Sequence, residues 1–354
     1  MIQSNIDYYA KLWKSYSNLD REGVISNASK FVPEIERYDP EILTEMRGIA
    51  DGAGLTLEEI VALNSRYEFV WAKMEADASA VPKVSPECMA LGIQPTPGID
   101  GAPIIGQNWD YKRGVRKNCI LLEEIQEPEK PNIVIHTEAG ILGQKGMNSA
   151  GVGLLINALL SDRDRYEPSV PFLVAVRAAL DQRTIRGGIQ KLKTAKRSVS
   201  GNLMLGQASD IVDLELTPSS YEEINPRDAV ISHANSFMGP AHNGTDIVDV
   251  FDKIFPDSRG RGERAGSLLR GSKIKDQAAF EKILSDHTDY PHSICRHLAV
   301  GENEDVGSET LVSIILDLSG RIMRVCDGHP CSAPYEEYRF PSLTESFEYQ
   351  AARK

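Results

Sequence analysis

The sequence contains the run Cys88-Met89-Ala90-Leu91-Gly92-Ile93 and, after a turn, the run Ile104-Ile105-Gly106-Gln107-Asn108-Trp109-Asp110. Both runs have the short apolar composition, interrupted by glycine, that is typical of β-strands. Residues 76–87 before them are mainly small, polar or proline, which indicates a connector. Cys88 therefore stands where a connector meets a strand, a place where a self-cleaving chain could acquire a new N-terminus.

A cysteine at a new N-terminus would carry two reactive groups. A free thiol has a pKa of about 8.5 and a terminal amine one of about 7.7–8.0, so the amine of Cys88 could accept the proton of its own thiol. Before cleavage, the same thiol could attack the carbonyl of Glu87, form a thioester and release residues 1–87 by hydrolysis. The alternative is a small buried cysteine that packs as an apolar side chain.

The whole chain has 354 residues and a net charge of −12, which argues against nucleic acid as the main partner. No apolar run approaches the roughly 20 residues of a membrane helix, and the N-terminus lacks the pattern of a secretory signal. Five cysteines are too few for a dense disulfide framework. We therefore expect a cytoplasmic protein in a reducing compartment, with no membrane partner.

Helices are predicted over the first 75 residues, including one that starts with the capping pattern Thr56-Leu57-Glu58-Glu59 and continues through Leu63 and Tyr67. After Cys88, short apolar runs predict strands joined mainly by hairpins, with helices inserted in blocks. This order predicts an α+β fold with sheets packed face to face. The strands are predicted at 120–122, 132–137, 140–143, 151–156, 201–206, 210–216, 229–234, 310–318 and 321–326, and the later helices at about 170–182, 184–195, 260–270 and 276–286.

Polar residues at strand ends could support Cys88. Asp110 could orient the amine or the thiol, and Asn108 could do similar work, although an Asx turn explains both. Asn235 could donate its amide to a developing oxyanion, where a fixed donor is worth roughly 3 kcal/mol of barrier. His233 offers a rival Cys-His pair with Cys88, but a single Asn or His is more often structural.

Two groups of potential metal ligands occur near the C-terminus, at His287, Asp289, His292, Cys295 and His297 and at Cys326, His329 and Cys331. Neither group has His-Glu-x-x-His or Cys-x-x-Cys spacing, so we expect no metal, only a solvated loop and core cysteines. The Arg- and Gly-rich run 259–264 lacks the preceding strand of a phosphate-binding loop. A basic helix start that meets an anionic substrate or solvent explains the run equally well.

Between about residue 40 and residue 340, the chain contains a series of characteristic sequence blocks in a fixed order. They include Asn108-Trp109-Asp110, Thr137-Glu138-Ala139-Gly140-Ile141-Leu142-Gly143, Gly146-Met147-Asn148-Ser149-Ala150-Gly151-Val152, Asn157-Ala158-Leu159, Leu214-Glu215-Leu216-Thr217-Pro218, His233-Ala234-Asn235 and Tyr290-Pro291-His292-Ser293-Ile294-Cys295-Arg296. Together they resemble the isopenicillin N acyltransferase family, the acyl-coenzyme A:6-aminopenicillanic acid acyltransferases.

The resemblance implies a four-layer αββα sandwich of the N-terminal nucleophile hydrolase superfamily. It implies self-cleavage at the Glu87–Cys88 bond into a mainly helical segment, 1–87, and a catalytic segment, 88–354, which stay associated as one folded unit. By position it makes Cys88 the nucleophile, supported by Asp110 and Asn235. A peroxisomal location is also compatible with the family, although the last three residues are not Ser-Lys-Leu.

The resemblance further implies that Thr217, Ser293 and Arg296 assist processing or substrate binding. It implies no cofactor, since acyl-coenzyme A could enter as a co-substrate alongside small amide or amine substrates. The chain differs from the family pattern at Glu87, where the penicillin enzymes have glycine, and at Thr217, where they have serine. Its N-terminal segment is also shorter.

Three functions remain open from the sequence. The first is a self-processing acyltransferase or an amidohydrolase of N-acyl or β-alanyl amines, which share an acyl-enzyme on Cys88. The second is an uncleaved, non-catalytic relative that binds a small amide, for which the bulky Glu87 is the main support. The third is an uncleaved hydrolase that uses Cys88 with His233.

Overall fold

The computed structural model describes residues 1–70, 87–95, 101–273, 275–302 and 307–340. The predicted connector before Glu87 lies outside the described residues. Within these ranges, no helix combines the length and the apolar composition that crossing a membrane requires.

The N-terminal segment is helical, as predicted. Thr56 and Glu59 form the expected capping box, in which each side chain bonds to the other residue's backbone N–H. The helix that starts there ends at Asn64, and a separate short helix follows, so the prediction of one continuous helix through Tyr67 is wrong. The helices are α1 Ile2–Ser17, α2 Arg21–Ala28, α3 Val32–Tyr38, α4 Pro40–Ala53, α5 Leu57–Asn64 and α6 Arg66–Val70.

The rest of the described chain forms two antiparallel sheets. The six-stranded sheet has the order β10-β1-β2-β11-β12-β13, and the seven-stranded sheet has the order β3 to β9 in sequence. The strands are β1 Glu87–Ile93, β2 Ile104–Lys112, β3 Cys119–Glu124, β4 Ile133–Glu138, β5 Lys145–Asn148, β6 Gly153–Ala158, β7 Gly201–Gln207, β8 Asp210–Leu216, β9 Tyr221–Ile224, β10 Val230–His233, β11 Ser308–Asp317, β12 Ile322–Asp327 and β13 Glu336–Arg339. The later helices are α7 Phe172–Leu180, α8 Ile185–Thr194, α9 Val250–Ile254, α10 Asp257–Gly271 and α11 Gln277–Leu284.

The predicted strand at 140–143 is wrong, because that segment turns through Gly140, whose φ is 91°. The strand begins only at Lys145. Strands β9 and β13 and helix α9 are short and were not predicted. Elements this short carry little periodicity, and this is why the sequence does not reveal them.

The two sheets pack face to face, and helices cover both outer faces. A Cβ added to Gly92 in β1 would lie 3.3 Å from Met204 Sδ in the opposite sheet, whereas one added to Gly106 in β2 would lie 2.8 Å from Phe280 of α11. On the other side, a Cβ on Gly188 of α8 would lie 3.2 Å from Leu205. The order is helix, sheet, sheet, helix, so the expected four-layer αββα architecture is confirmed.

The N-terminal helices share a buried core with the rest of the chain. Trp13, Phe31 and Phe69 belong to the same apolar cluster as the residues between the sheets. The Phe172 backbone N–H at the start of α7 donates to Glu68 Oε1 over 2.7 Å. Residues 1–70 are therefore held to the sheets by buried contacts as well as by the chain itself.

Candidate active site

Cys88 is the second residue of β1, and its neighbours follow from the antiparallel register. Cys88 pairs with Trp109, and Glu87 pairs with Asp110. Because cross-strand partners share a face, Cys88 points between the sheets with Trp109, while Asp110 points toward the helical layer beside the Glu87–Cys88 bond. The thiol is buried, with 3% of the residue exposed.

Asn235, just after β10, holds the backbone nitrogen of Cys88. The Cys88 N–H donates to Asn235 Oδ1 over 2.8 Å, and Asn235 Nδ2 donates to the carbonyl of Ala158 over 2.9 Å. The backbone N–H of Asn235 donates to Ser258 Oγ over 2.8 Å. Since one partner is a donor and the other an acceptor, the orientation of this amide is determined. Asn235 thus links the nitrogen that cleavage would free to the end of β6 in the second sheet.

Asp110 is held by groups from two other elements. Thr310 Oγ1 in β11 donates to Asp110 Oδ1 over 2.6 Å, and Arg261 Nη1 in α10 lies 3.4 Å from Asp110 Oδ2. The Arg296 backbone N–H donates to Thr310 Oγ1 over 2.9 Å. The carboxylate therefore has a fixed position and a buried cation beside it.

Lys145 in β5 brings a second cation to the site from the opposite sheet. Its Nζ lies 3.7 Å from the ring centroid of Trp109, the cross-strand partner of Cys88, and donates to Gln144 Oε1 over 2.7 Å. Burial lowers the pKa of Lys145 to about 8, although Cys88 and nearby acidic groups favour its charged form. At neutral pH this side chain is mostly a cation that faces the thiol.

The charges around Cys88 act in opposite directions. Burial and, next, Asp110 raise the pKa of the Cys88 thiol, whereas Lys145 and Arg261 lower it, and the net result is a pKa of about 12. In the continuous chain the thiol is therefore neutral at pH 7. Attack on a carbonyl requires a base that takes the thiol proton as the bond forms.

Residues that the sequence singled out fall into two groups. Cys88, Asp110 and Asn235 meet at the end of β1, and Arg296 reaches the same cluster through Thr310. Thr217 lies apart from these contacts, because its hydroxyl bonds to Ser220 Oγ over 2.7 Å in the turn after β8.

Ser293 and Asn108 are also engaged elsewhere. Ser293 Oγ donates to the carbonyl of Cys295 over 2.5 Å. Asn108 Nδ2 donates to the carbonyls of Leu284 and Ile294 over 2.8 and 2.9 Å, which ties α11 to the loop after it. Asn108 is therefore neither part of an Asx turn nor directed at the thiol.

His233 does not form a pair with Cys88. Its Nε2 lies 2.9 Å from Glu215 Oε1, and its Nδ1 lies 2.7 Å from the carbonyl of Ala234. Burial alone would lower the pKa of His233, but Asp213 and Glu215 raise it to about 9. A ring that donates from both nitrogens at neutral pH cannot accept the thiol proton, so the geometry disfavours the rival Cys-His pair.

Sequence reasoning missed Lys145, Thr310 and the partner of Arg261. Lys145 could have been found, because it is the only charged residue between Ala139 and Leu160. The run 259–264 begins two residues into α10, in agreement with a basic helix start, and it buries Arg261 against Asp110, a partner that the sequence does not reveal. Thr310 carries no signal of its own, since a threonine is ordinary in a strand.

Two stacked antiparallel sheets between helical layers, with a strand-borne cysteine at their junction, define the class of αββα sandwiches to which the N-terminal nucleophile hydrolases belong. The family model "Acyl-coenzyme A:6-aminopenicillanic acid acyl-transferase" matches residues 98–331. The chain belongs to this family, and the resemblance noted in the sequence is confirmed.

A curated relative gives the same result. The acyl-coenzyme A:6-aminopenicillanic-acid-acyltransferase 40 kDa form of Emericella nidulans is 34% identical over 293 residues, which cover 82% of this chain and 76% of that protein.

Solved structures show lower similarity. An N-acylethanolamine-hydrolyzing acid amidase ortholog from Caenorhabditis elegans has a TM-score of 0.46 at 13% identity and covers 72% of this chain and 100% of its own. Penicillin V acylase from Agrobacterium tumefaciens has a TM-score of 0.44 at 14% identity. The match covers 68% of this chain and 83% of that protein.

Proposed function

We propose that this chain is a self-processing acyltransferase whose nucleophile is the thiol of Cys88. The observation that carries the proposal is the 2.8 Å hydrogen bond from the Cys88 backbone N–H to Asn235 Oδ1. This hydrogen bond would hold the nitrogen of Cys88 in place beside its own thiol, at the Glu87–Cys88 bond that Asp110 flanks. The family match supports acyl transfer as the chemistry.

Processing would begin with attack by Cys88 Sγ on the carbonyl carbon of Glu87. The C–S bond forms, the C–N bond to Cys88 breaks, and the thiol proton passes to the departing nitrogen, which gives a thioester and a free amine. Water then hydrolyses the thioester to the Glu87 carboxylate and the Cys88 thiol. Segments 1–87 and 88–354 result, and the buried core that they share would keep them together.

Turnover would use the freed amine as the base. A neutral amine has one lone pair, and an N–H donated to Asn235 Oδ1 would direct that lone pair toward the thiol, so the amine takes the proton as Sγ attacks the substrate carbonyl. With an acyl-coenzyme A substrate, the C–S bond to coenzyme A breaks and its thiolate leaves with a proton. An amine then attacks the acyl-enzyme and restores the Cys88 thiol.

Mass spectrometry of denatured protein tests the processing step. We expect two species, residues 1–87 and 88–354, and a single intact species for Cys88→Ala. Cys119→Ala is the matched control, because burial also raises the pKa of that thiol to about 12 and Lys145 acts on it too. Cleavage of Cys88→Ala at this bond, or active protein with the bond intact, would refute the proposal.

Product analysis distinguishes transfer from hydrolysis, because the same acyl-enzyme could pass its acyl group to an amine or to water. Processed protein is incubated with an acyl-coenzyme A, with and without an amine such as 6-aminopenicillanic acid, and with N-acyl amines alone. Amide formed only with thioester and amine together supports a transferase. Rapid hydrolysis of N-acyl amines with no amide formation would assign the amidohydrolase alternative instead.

A further inference from the structure

Four potential metal ligands meet outside the Cys88 site. His287, Cys295 and His297 belong to the segment between α11 and β11, and Cys331 belongs to the turn between β12 and β13. One ligand atom from each lies within 4.8 Å of the others. The two groups that the sequence keeps apart, and whose spacing matches no metal motif, are brought together by folding.

The three separations that involve His297 fit a tetrahedral metal site. His297 Nε2 lies 3.1 Å from His287 Nε2, 3.5 Å from Cys295 Sγ and 3.6 Å from Cys331 Sγ. Zinc bonds of about 2.0–2.1 Å to nitrogen and about 2.3 Å to sulfur give tetrahedron edges of about 3.3 Å between nitrogens and about 3.6 Å between nitrogen and sulfur. All three measured separations agree with these edges to within about 0.2 Å.

Hydrogen bonding does not explain this arrangement. A neutral imidazole Nε2 offers one hydrogen or one lone pair, in the plane of the ring. The Nε2 atom of His297 can therefore form a hydrogen bond with only one of its three neighbours, which are one imidazole nitrogen and two sulfurs. A cation at the centre satisfies all four at once, because each lone pair then points to a single positive charge.

The ligand set indicates which cation. Two imidazole nitrogens and two thiolates in tetrahedral geometry are typical of zinc, whereas magnesium and calcium prefer oxygen. The His297 ring also stacks on the ring of His329, with centroids 4.1 Å apart and an interplanar angle of 5°, which restricts its orientation. His287 and Cys331 are exposed, so a metal ion could reach the cluster from solvent.

We propose that His287, Cys295, His297 and Cys331 bind one zinc ion that joins the segment after α11 to the turn between β12 and β13. With four protein ligands the site has no open position, so the ion is structural. Cys295 precedes Arg296, whose N–H donates to Thr310, and Thr310 donates to Asp110. The ion therefore restrains the backbone that positions the Asp110 carboxylate.

Metal content of the full-length protein, purified under reducing conditions without chelator, tests the proposal. We expect about one zinc per chain by elemental mass spectrometry. After removal of zinc and addition of cobalt, we expect the visible bands of tetrahedral cobalt with a thiolate charge-transfer band in the near ultraviolet.

Cys331→Ser and His297→Gln should lose stoichiometric zinc and the cobalt spectrum. Cys331 is exposed, so its variant should fold even if His297→Gln does not. Cys326→Ser is the matched control, because its buried thiol contacts the carbonyl of Ala333 and lies outside the cluster. It should retain the metal.

Three results would overturn the proposal. One is wild-type protein that takes up neither zinc nor cobalt after reduction, and another is a Cys331→Ser variant with an unchanged cobalt spectrum. The third is a Cys295–Cys331 disulfide in metal-free protein that persists when zinc and reductant are supplied. Each of these measurements is independent of activity, so it is also independent of whether Cys88 is processed.

Discussion

Replacement of Lys145 by methionine should slow self-cleavage at neutral pH. Lys145 is the cation that lowers the pKa of the Cys88 thiol most strongly. A neighbouring opposite charge shifts a pKa by about 1–3 units, and loss of one unit leaves about tenfold less thiolate, or about 1.4 kcal/mol. Methionine has a similar volume and can still pack on Trp109 through its sulfur. We expect Lys145→Met to cleave at least about tenfold more slowly at pH 7.

The pH dependence makes this prediction specific. The pKa of Lys145 is lowered to about 8. About nine in ten molecules therefore carry its charge at pH 7 and about one in ten at pH 9. The advantage of the wild type over Lys145→Met should thus be largest below pH 8 and should fade as the pH rises through 8 and above. Over the same range both rates should increase, because the Cys88 thiol, with a pKa of about 12, ionises more readily.

The assay starts from precursor refolded at mildly acidic pH and transferred to buffers between pH 6.5 and 9.5. Denaturing electrophoresis follows the loss of the intact chain, and thermal unfolding confirms that each variant is folded. Lys191→Met is the matched control, since Lys191 of helix α8 also lies over an aromatic ring, that of Tyr38. Equal rates for Lys145→Met and wild type at pH 7, or a rate ratio that does not change with pH, would refute the role of Lys145.

Three further predictions concern the groups around this site. Asn235→Ala removes the acceptor for the Cys88 nitrogen, and self-cleavage should slow by about 10²-fold or more, as seen on gels; near wild-type cleavage would exclude the role of Asn235. For His233, carboxylates raise the pKa to about 9, so its contribution to stability is complete below about pH 6.5 and is lost as the pH rises through 9. Urea unfolding should show a loss of about 3 kcal/mol between pH 6 and 10 that His233→Asn lacks, and an identical slope in both proteins would contradict this. Glu138→Gln removes the carboxylate that pairs with buried Arg66, so the cleaved N-terminal fragment should dissociate at lower urea in size-exclusion runs, with about 3–5 kcal/mol of association lost. Dissociation at an unchanged urea concentration would show that this pair does not hold the fragments together.

Several elements were predictable because their signals are local. The capping box at Thr56 and the closing pair β11–β12 depend on residues a few positions apart. The strand at 140–143 was predicted wrongly for a related reason. Gly140, Ile141, Leu142 and Gly143 have a strand-like composition, but Asn64 of α5 contacts this segment, donating to the carbonyl of Gly140 and accepting from the N–H of Leu142. No local pattern contains that contact.

Some residues of the candidate site were likewise predictable from local sequence, and others were not. Cys88 was predictable from its place between a connector and a strand, and Asp110 and Asn235 from their places at predicted strand ends within blocks that resemble a known family. Lys145 and Thr310 were missed because their relation to Cys88 and Asp110 depends on which strands face or adjoin each other. His233 shows the opposite case, since only its buried contacts with Glu215 and Ala234 exclude it as the partner of the thiol.

The amino-acid sequence alone specified the helical N-terminal segment, the sheet-forming remainder, the family and the cysteine at their junction. These follow from periodicity, turn residues and ordered blocks, all of which are properties of neighbouring positions. Tertiary structure alone decided that a lysine from one sheet faces the thiol of the other, and that Cys331 meets a cluster more than thirty residues before it. Such meetings depend on strand register and on loops that close over long distances, and neither is encoded in any short stretch of the chain.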